Sequence, residues 1–351
     1  MESKKFLELL CNSNGVSGYE DNLKNIIIDN FKTYCDDIEV DKLGNIIGLK
    51  KGASAENNPK IMLAAHMDEI GLMVKDIEEN GFLRFTNIGG IDPRTILGQE
   101  VIVHGKKDLF GVIGSKPPHL QDEEERDKAI TIEDMIIDVG FPKDKLEKFI
   151  SVGDTITINR RLLNLKNDRM AGKALDDRAG IVSLLECLKE LHKTNHEPDV
   201  YVVATVQEEV GMAGAFTSSY KINPDIGIAV DVGFGTTPEL NNSNSIELGK
   251  GAGITLGGNI HPTLREKLIC IANEYNISHQ LEITPGATGT DARAMQITRE
   301  GIPSLVISIP LRYMHTSVEV VDIVDIKNTG KLLAFFINAI SNENLEGLLC
   351  Y

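Results

Sequence analysis

The stretch Val202-Val-Ala-Thr-Val-Gln-Glu-Glu-Val-Gly211 decides how this chain reads. An apolar, β-branched run ends in two adjacent carboxylates and a glycine, the pattern of a buried strand. In an open α/β sheet, chemistry gathers beyond the carboxyl ends of such strands. Three other stretches end alike: Ile61-Met-Leu-Ala-Ala65 runs into His66-Met-Asp68, Ile226-Gly-Ile-Ala-Val230 into Asp231, and Ser304-Leu-Val-Ile-Ser-Ile309, after a short exit, into His315. These ends, with Asp176, are candidates to hold two metal ions, and Glu208 to drive a water.

Working outward, the pattern predicts an α/β mixed sheet flanked by helices. Residues 1–35 read as helical, with a capping box at Ser17-Gly-Tyr-Glu20 ahead of Leu23, Ile26, Ile27 and Phe31. Two strands follow around Gly44-Asn45, then a polar linker over 51–59. From about Lys75 to Asn167 the texture changes: a hairpin at Glu79-Asn80-Gly81 and short strands at 100–104, 110–113, 135–139 and 154–158 predict a small all-β domain inserted into the α/β one. The domains are thus 1–74 with 168–351, and 75–167. Beyond it, Asp176-Asp-Arg178 opens a helix with Ile181, Leu184, Leu185, Leu188 and Leu191 on one face. Gly249 to Gly258 is a glycine-rich lead into a helix over 262–275, and a terminal helix spans 326–340.

Composition excludes several classes. The 351 residues carry 36 basic and 52 acidic side chains, a net charge of −16, which argues against nucleic acid as the partner. No apolar run reaches the roughly 18 residues of a membrane span, and the N-terminus lacks the long apolar region of a signal peptide. Five scattered cysteines form no Cys-x-x-Cys pair, so free thiols in a reducing, cytoplasmic compartment are expected.

The candidate site rests on combination. Of eight histidines, His66 and His315 follow apolar strands. Asp68 is placed to hold the far nitrogen of His66 and fix the tautomer that binds metal. Asp176 could alternatively be a helix N-cap. Glu208 and Glu209 at a buried strand end repel one another unless a cation stabilises them, and neighbouring side chains there point apart, leaving one for metal and one for substrate. Two divalent ions would be balanced by Asp176, Glu209 and Asp231 together with one bridging hydroxide. Imidazole and carboxylate donors suit zinc, cobalt or manganese.

The stretches Ala65-His-Met-Asp-Glu-Ile-Gly71, Lys173-Ala-Leu-Asp-Asp-Arg-Ala-Gly180, Val206-Gln-Glu-Glu-Val-Gly211, Ala229-Val-Asp-Val232, Gly289-Thr-Asp-Ala292 and Arg312-Tyr-Met-His-Thr316 together resemble the metal-dependent glutamyl/tetrahedral aminopeptidase family, whose members sometimes carry the name endoglucanase or cellulase. The resemblance implies a di-zinc-peptidase-like fold with a PDZ-like inserted domain serving oligomerisation and substrate access. It implies one metal on His66 and Asp231, another on Glu209 and His315, Asp176 bridging, Asp68 orienting His66 and Glu208 as general base. It further implies a homo-oligomer, commonly a dodecamer, with the loop at His119 to Gln121 reaching a neighbouring subunit. Thr284 to Asp291 is more elaborate than the family's usual approach to Thr-Asp-Ala, and Arg293 and Arg312 are candidates to face an acidic substrate side chain.

The expected activity is removal of N-terminal residues from peptides with a free amine. The alternatives are a deacylase or carboxypeptidase on the same site, and a metal-dependent peptide-binding scaffold. Cellulose hydrolysis fits less well, because a standard glycosidase uses two carboxylates and no imidazole-bound metal.

Overall fold

The computed structural model describes residues 2–53, 57–120, 122, 128–240 and 245–350. At its centre Lys60–His66 lies between Asp199–Thr205 and Ile226–Phe234, parallel to both, and Ser304–Arg312 extends the parallel set. Ile61 to Ala65 and Val202 to Ala204 are all buried, as strands covered on both faces by helices must be. Helices Leu175–Leu191 and Ile323–Asn338 pack against each other and the sheet, as do Ala213–Ile222 and Asp291–Gln296. The protein is therefore mixed α/β.

Among the described residues the sheet has eleven strands. Ile46–Lys50 and Asp37–Val40 continue it past Asp199–Thr205; Glu319–Asp322, Arg169–Gly172 and Leu163–Asn164 continue it past Ser304–Arg312. Ala252–Gly257 pairs with Ser304–Arg312 and carries His279–Thr284 beside it. After Lys60–His66 the chain re-enters the sheet first on one side and then on the other. A crevice opens at such a switch point, and the site lies there.

Six antiparallel strands form a second body, a closed barrel in the order Gly71–Ile77, Leu83–Ile88, Met135–Asp138, Leu109–Ser115, Glu100–His104 and Thr155–Ile158. Its strands alternate: Leu109, Gly111 and Ile113 point in while Phe110 and Val112 point out. Its core, including Leu72, Leu83, Val101, Met135 and Ile156, is its own. Closure gives every strand two neighbours, although Leu83–Ile88 meets Met135–Asp138 only at Leu83 and Ile137.

Several local expectations change. Ser17 and Glu20 do not form a capping box: the second helix is Asp21–Phe31, capped by neither side chain, because both are drawn into tertiary contacts. The strand before Glu208 stops at Thr205, and Asp231 sits inside its strand, which runs on to Phe234. The glycine-rich stretch contains the strand Ala252–Gly257, and His279–Thr284 and Glu319–Asp322 are further strands that local pattern did not reveal. Residues 54–56 of the polar linker and most of the charge run 121–128, Gln121 included, lie outside the described residues.

Candidate active site

Asp176 stands at the middle of the site. Its Oδ1 lies 3.0 Å from His66 Nε2 and its Oδ2 lies 3.3 Å from His315 Nε2. The same His315 nitrogen is 3.2 Å from Glu209 Oε1. Two donor groups result, His66–Asp176–Asp231 and Asp176–Glu209–His315, the donor atoms of each within 4.8 Å of one another. Asp176 belongs to both. Glu208 joins them in the wall of one cavity of about 270 Å³.

Asp231 projects from within its strand, and the other side chains are delivered at strand or helix ends and turns. His66 is the last residue of its strand. Asp176 sits at the start of Leu175–Leu191, where Asp176 and Asp177 leave helical backbone and their shared peptide is cis. Gln207 before the glutamate pair, and Tyr313 and His315 after the strand Ser304–Arg312, adopt left-handed backbone. Non-glycine residues bear that conformation at some energetic cost, and it concentrates at functional sites.

The cluster is strongly acidic. Burial pushes the Glu208 carboxyl up to about 10, against the pull of His66 and with the repulsion of Asp231 and Asp291. Burial likewise raises Asp177 and Asp231 well above the usual carboxylate range, and raises Glu209. Asp176 is lowered, because contact with His315 and His66 outweighs its burial. His315, hydrogen-bonded to Asp176 and Glu209, is raised to about 11. Among the described residues no lysine or arginine lines the cavity. Buried carboxylates facing two imidazoles, with no lysine or arginine among the described lining residues, fit divalent metal ions, and the nitrogen and oxygen donors suit zinc, cobalt or manganese. Glu208 Oε1 is buried and accepts no hydrogen bond from the described residues.

The supporting contacts start from Asp68 and reach residues outside the sequence-derived set. The Asp68 carboxylate is 3.5 Å from His66 Nδ1, which is closer, at 3.2 Å, to the Asp68 backbone oxygen. The carboxylate also accepts from the Ser17 hydroxyl at 2.5 Å and from the backbone N–H groups of Glu208 and Glu209 at 3.1 and 3.2 Å. Asp68 thus holds the glutamate turn as well as the imidazole. Glu319 acts similarly across the cavity: one oxygen accepts from the N–H groups of Leu175 and Asp176, the other from that of His315. Gly89 and Gly90 lie against the site, since a Cβ on Gly90 would come within 3.1 Å of His315 Nδ1. Behind it, Arg178 and Lys173 pair with Glu69, and Arg178 also donates to the carbonyls of Leu10 and Ser13.

All seven sequence-derived residues, His66, Asp68, Asp176, Glu208, Glu209, Asp231 and His315, converge here. The six other histidines do not: His104 bonds Asp108 and Thr157, and His261 caps the helix Pro262–Glu274. Arg293 is exposed and Arg312 donates to the Thr236 carbonyl; neither lines the cavity. Its far wall instead carries Thr255, Glu282 and Ser308; Ser308 belongs to the strand that leads to His315, while Thr255 and Glu282 come from strands that local sequence did not single out.

Known proteins are similar to this chain in sequence and fold. Residues 44–332 match the family model described as M42 glutamyl aminopeptidase. A lysyl aminopeptidase of Pyrococcus furiosus is 40% identical over 333 residues, covering 93% of this chain and 94% of that protein. The solved structure of an aminopeptidase from Desulfurococcus kamchatkensis superposes with a TM-score of 0.92 at 38% identity, covering 99% of this chain and 98% of that one. The TET1 peptidase of Pyrococcus horikoshii, described as able to assemble into a tetrahedron or a large octahedral shell, has a TM-score of 0.84 at 33% identity, covering 97% of this chain and 100% of that one.

Proposed function

We propose a function from one premise: this chain belongs to the M42 glutamyl aminopeptidase family, and is a hydrolase of the aminopeptidase class. In our reading it removes N-terminal residues from peptides with a free amine, using two divalent ions. The observation that carries this is the pair of donor groups sharing Asp176, with Glu208 in the same cavity and outside both. His66 and Asp231 would hold one ion and Glu209 and His315 the other, with Asp176 common to both donor groups. When bound, such ions acidify water and polarise a carbonyl.

Glu208 then has a defined task. Its carboxylate takes a proton from the attacking water and returns it to the leaving amine. Asp68 positions it through the backbone of its own turn and orients His66. A site that only stabilised the fold would close its coordination and need no further carboxylate; the unpartnered Glu208 Oε1 supports a reactive one.

The barrel, which runs from Gly71 to Ile158 and so begins a few residues before the expected 75–167 insert, serves in this reading as a PDZ-like module for assembly and substrate access. A homo-oligomer follows from the relatives, a dodecamer being the form named for one P. horikoshii TET1 structure; light scattering measures it. Five free cysteines support a cytoplasmic location. Relatives carry names of opposite side-chain charge, glutamyl and lysyl, so side-chain preference belongs to the individual pocket wall.

The test is amide hydrolysis by metal-stripped protein resupplied with zinc, cobalt or manganese, on aminoacyl anilides with free and acetylated amines. Activity that returns with metal and requires the free amine supports the aminopeptidase. Activity confined to blocked substrates would replace it with a deacylase.

A further inference from the structure

The cavity has a fifth carboxylate that no metal group uses. In the strand His279–Thr284, Leu281 and Ile283 face outward, 55% and 71% exposed, while Glu282 and Thr284 line the cavity that holds the metal donors. Glu282 pairs in register with Thr255 on the neighbouring strand. Its Oε2 accepts the hydroxyls of Ser308, at 2.5 Å, and Thr255, at 3.2 Å. Both donors are neutral. Its Oε1 accepts no hydrogen bond from the described residues, and no lysine or arginine among them pairs with it.

Room for this carboxylate is built into the backbone. A Cβ on Gly233 would come within 2.6 Å of Glu282 Oε1. Around it, Phe234, Val306 and Met314 offer apolar surface, and Thr284, Thr288 and Thr290 offer hydroxyls. A buried anion bonded only to hydroxyls is poorly compensated, and burial raises the Glu282 carboxyl above its ordinary value despite Ser308 and Thr255. A cation on an apolar stem is the complementary occupant. An acidic side chain would meet like charge and no cation.

We infer that Glu282 selects substrates whose N-terminal residue is basic, lysine or arginine, by receiving that side chain's cation. The inference rests on the aminopeptidase reading and assigns a specificity residue to it. The cavity, about 270 Å³, is smaller than the roughly 300–1,000 Å³ of pockets for drug-sized ligands, a size for one residue.

The experiment compares kcat/KM of the metal-loaded enzyme for lysyl, arginyl, norleucyl, leucyl and glutamyl anilides. Norleucine keeps the lysine stem without the charge. Lysine and arginine should exceed norleucine by about 10- to 100-fold, the range for a charge-assisted hydrogen bond. Glu282→Gln should bring the lysine-to-norleucine ratio close to one, chiefly through KM. Gly233→Ala, which displaces the carboxylate, should lower the same ratio. Calorimetry should show L-lysinamide binding the wild-type protein more tightly than L-norleucinamide, a readout that needs neither variant to fold. Equal affinity for those two amides, a wild-type preference for norleucyl, leucyl or glutamyl substrates, or a ratio unmoved by Glu282→Gln, would overturn the inference and leave the aminopeptidase standing. No turnover of any free-amine substrate would remove both.

Discussion

The hydroxyl of Ser17 donates to Asp68 Oδ2 at 2.5 Å, joining the loop ahead of the second helix to the carboxylate that sits behind His66 and the glutamate turn. Both residues are buried, Ser17 at 5% exposure and Asp68 at 0%. The same carboxylate receives the backbone of Glu208 and Glu209, so the N-terminal segment braces the turn that carries the proposed base. Burial works to raise Asp68, but His66, Ser17 and the Glu208 N–H outweigh it and hold it below the usual carboxylate range.

Ser17→Ala should therefore cost about 1–3 kcal/mol of stability, the penalty for removing one partner of a buried charged group. Metal affinity should weaken by roughly 10-fold or more, as for other losses behind a metal ligand. Urea unfolding and competition with a chelator measure the two effects. Wild-type values in both would show that the contact holds nothing.

Glu319 receives the backbone of Asp176 and of His315, one from each donor group. Glu319→Gln replaces one of its acceptor oxygens with a donor amide that faces another N–H. Metal affinity is expected to fall about 10–100-fold, with less effect on the fold. An unchanged chelator titration would exclude this bracing role.

Glu208 and Asp176 should separate in their effects. Glu208→Gln is expected to keep both ions and lose about 10²–10⁴-fold in kcat, the usual contribution of a positioned acid–base group. Asp176→Asn is expected to lose both ions, whereas Asp231→Asn and Glu209→Gln each lose one. Elemental analysis beside kinetics checks all four. Full metal occupancy in Asp176→Asn would remove the bridging assignment.

Thiol labelling tests the core. Burial pushes the thiols of Cys11 and Cys35 up to about 12, and Cys187 is raised too. At pH 8 the folded-state thiolate needed for alkylation is scarce at all three. Iodoacetamide should modify the exposed Cys270 and Cys350 in the native protein and all five cysteines in denaturant. Rapid native modification of Cys187 would contradict the packing of the helix Leu175–Leu191.

Local sequence carried the central strands and their chemistry. Ile61 to Ala65 and Val202 to Ala204 are apolar without interruption because helices cover both faces of the sheet, and that condition is written in the run itself. The stripe Ile181, Leu184, Leu185, Leu188 and Leu191 is buried in full for the same reason. His66, Asp176, Glu208, Glu209, Asp231 and His315 were legible because each is a polar break at or near the end of an apolar run. Such a break must be compensated, and metal ligation is an economical way to do it.

Tertiary structure alone decided the rest. Ser17 and Glu20 carry the local signature of a helix cap, yet Asp68 and the Gln207 backbone, 51 and 187 residues away in sequence, compete for them and win. Glu319 and Glu282 look like ordinary strand acids until Asp176, His315 and Ser308 are brought beside them. Gly233 matters because side chains of other segments, Glu282 first among them and then Ser308 and Ile246, occupy the space its missing side chain leaves. A run of residues can record whether it must be buried. It cannot record which distant group will share that burial, because the energy of a buried charge is set by neighbours that only folding assembles.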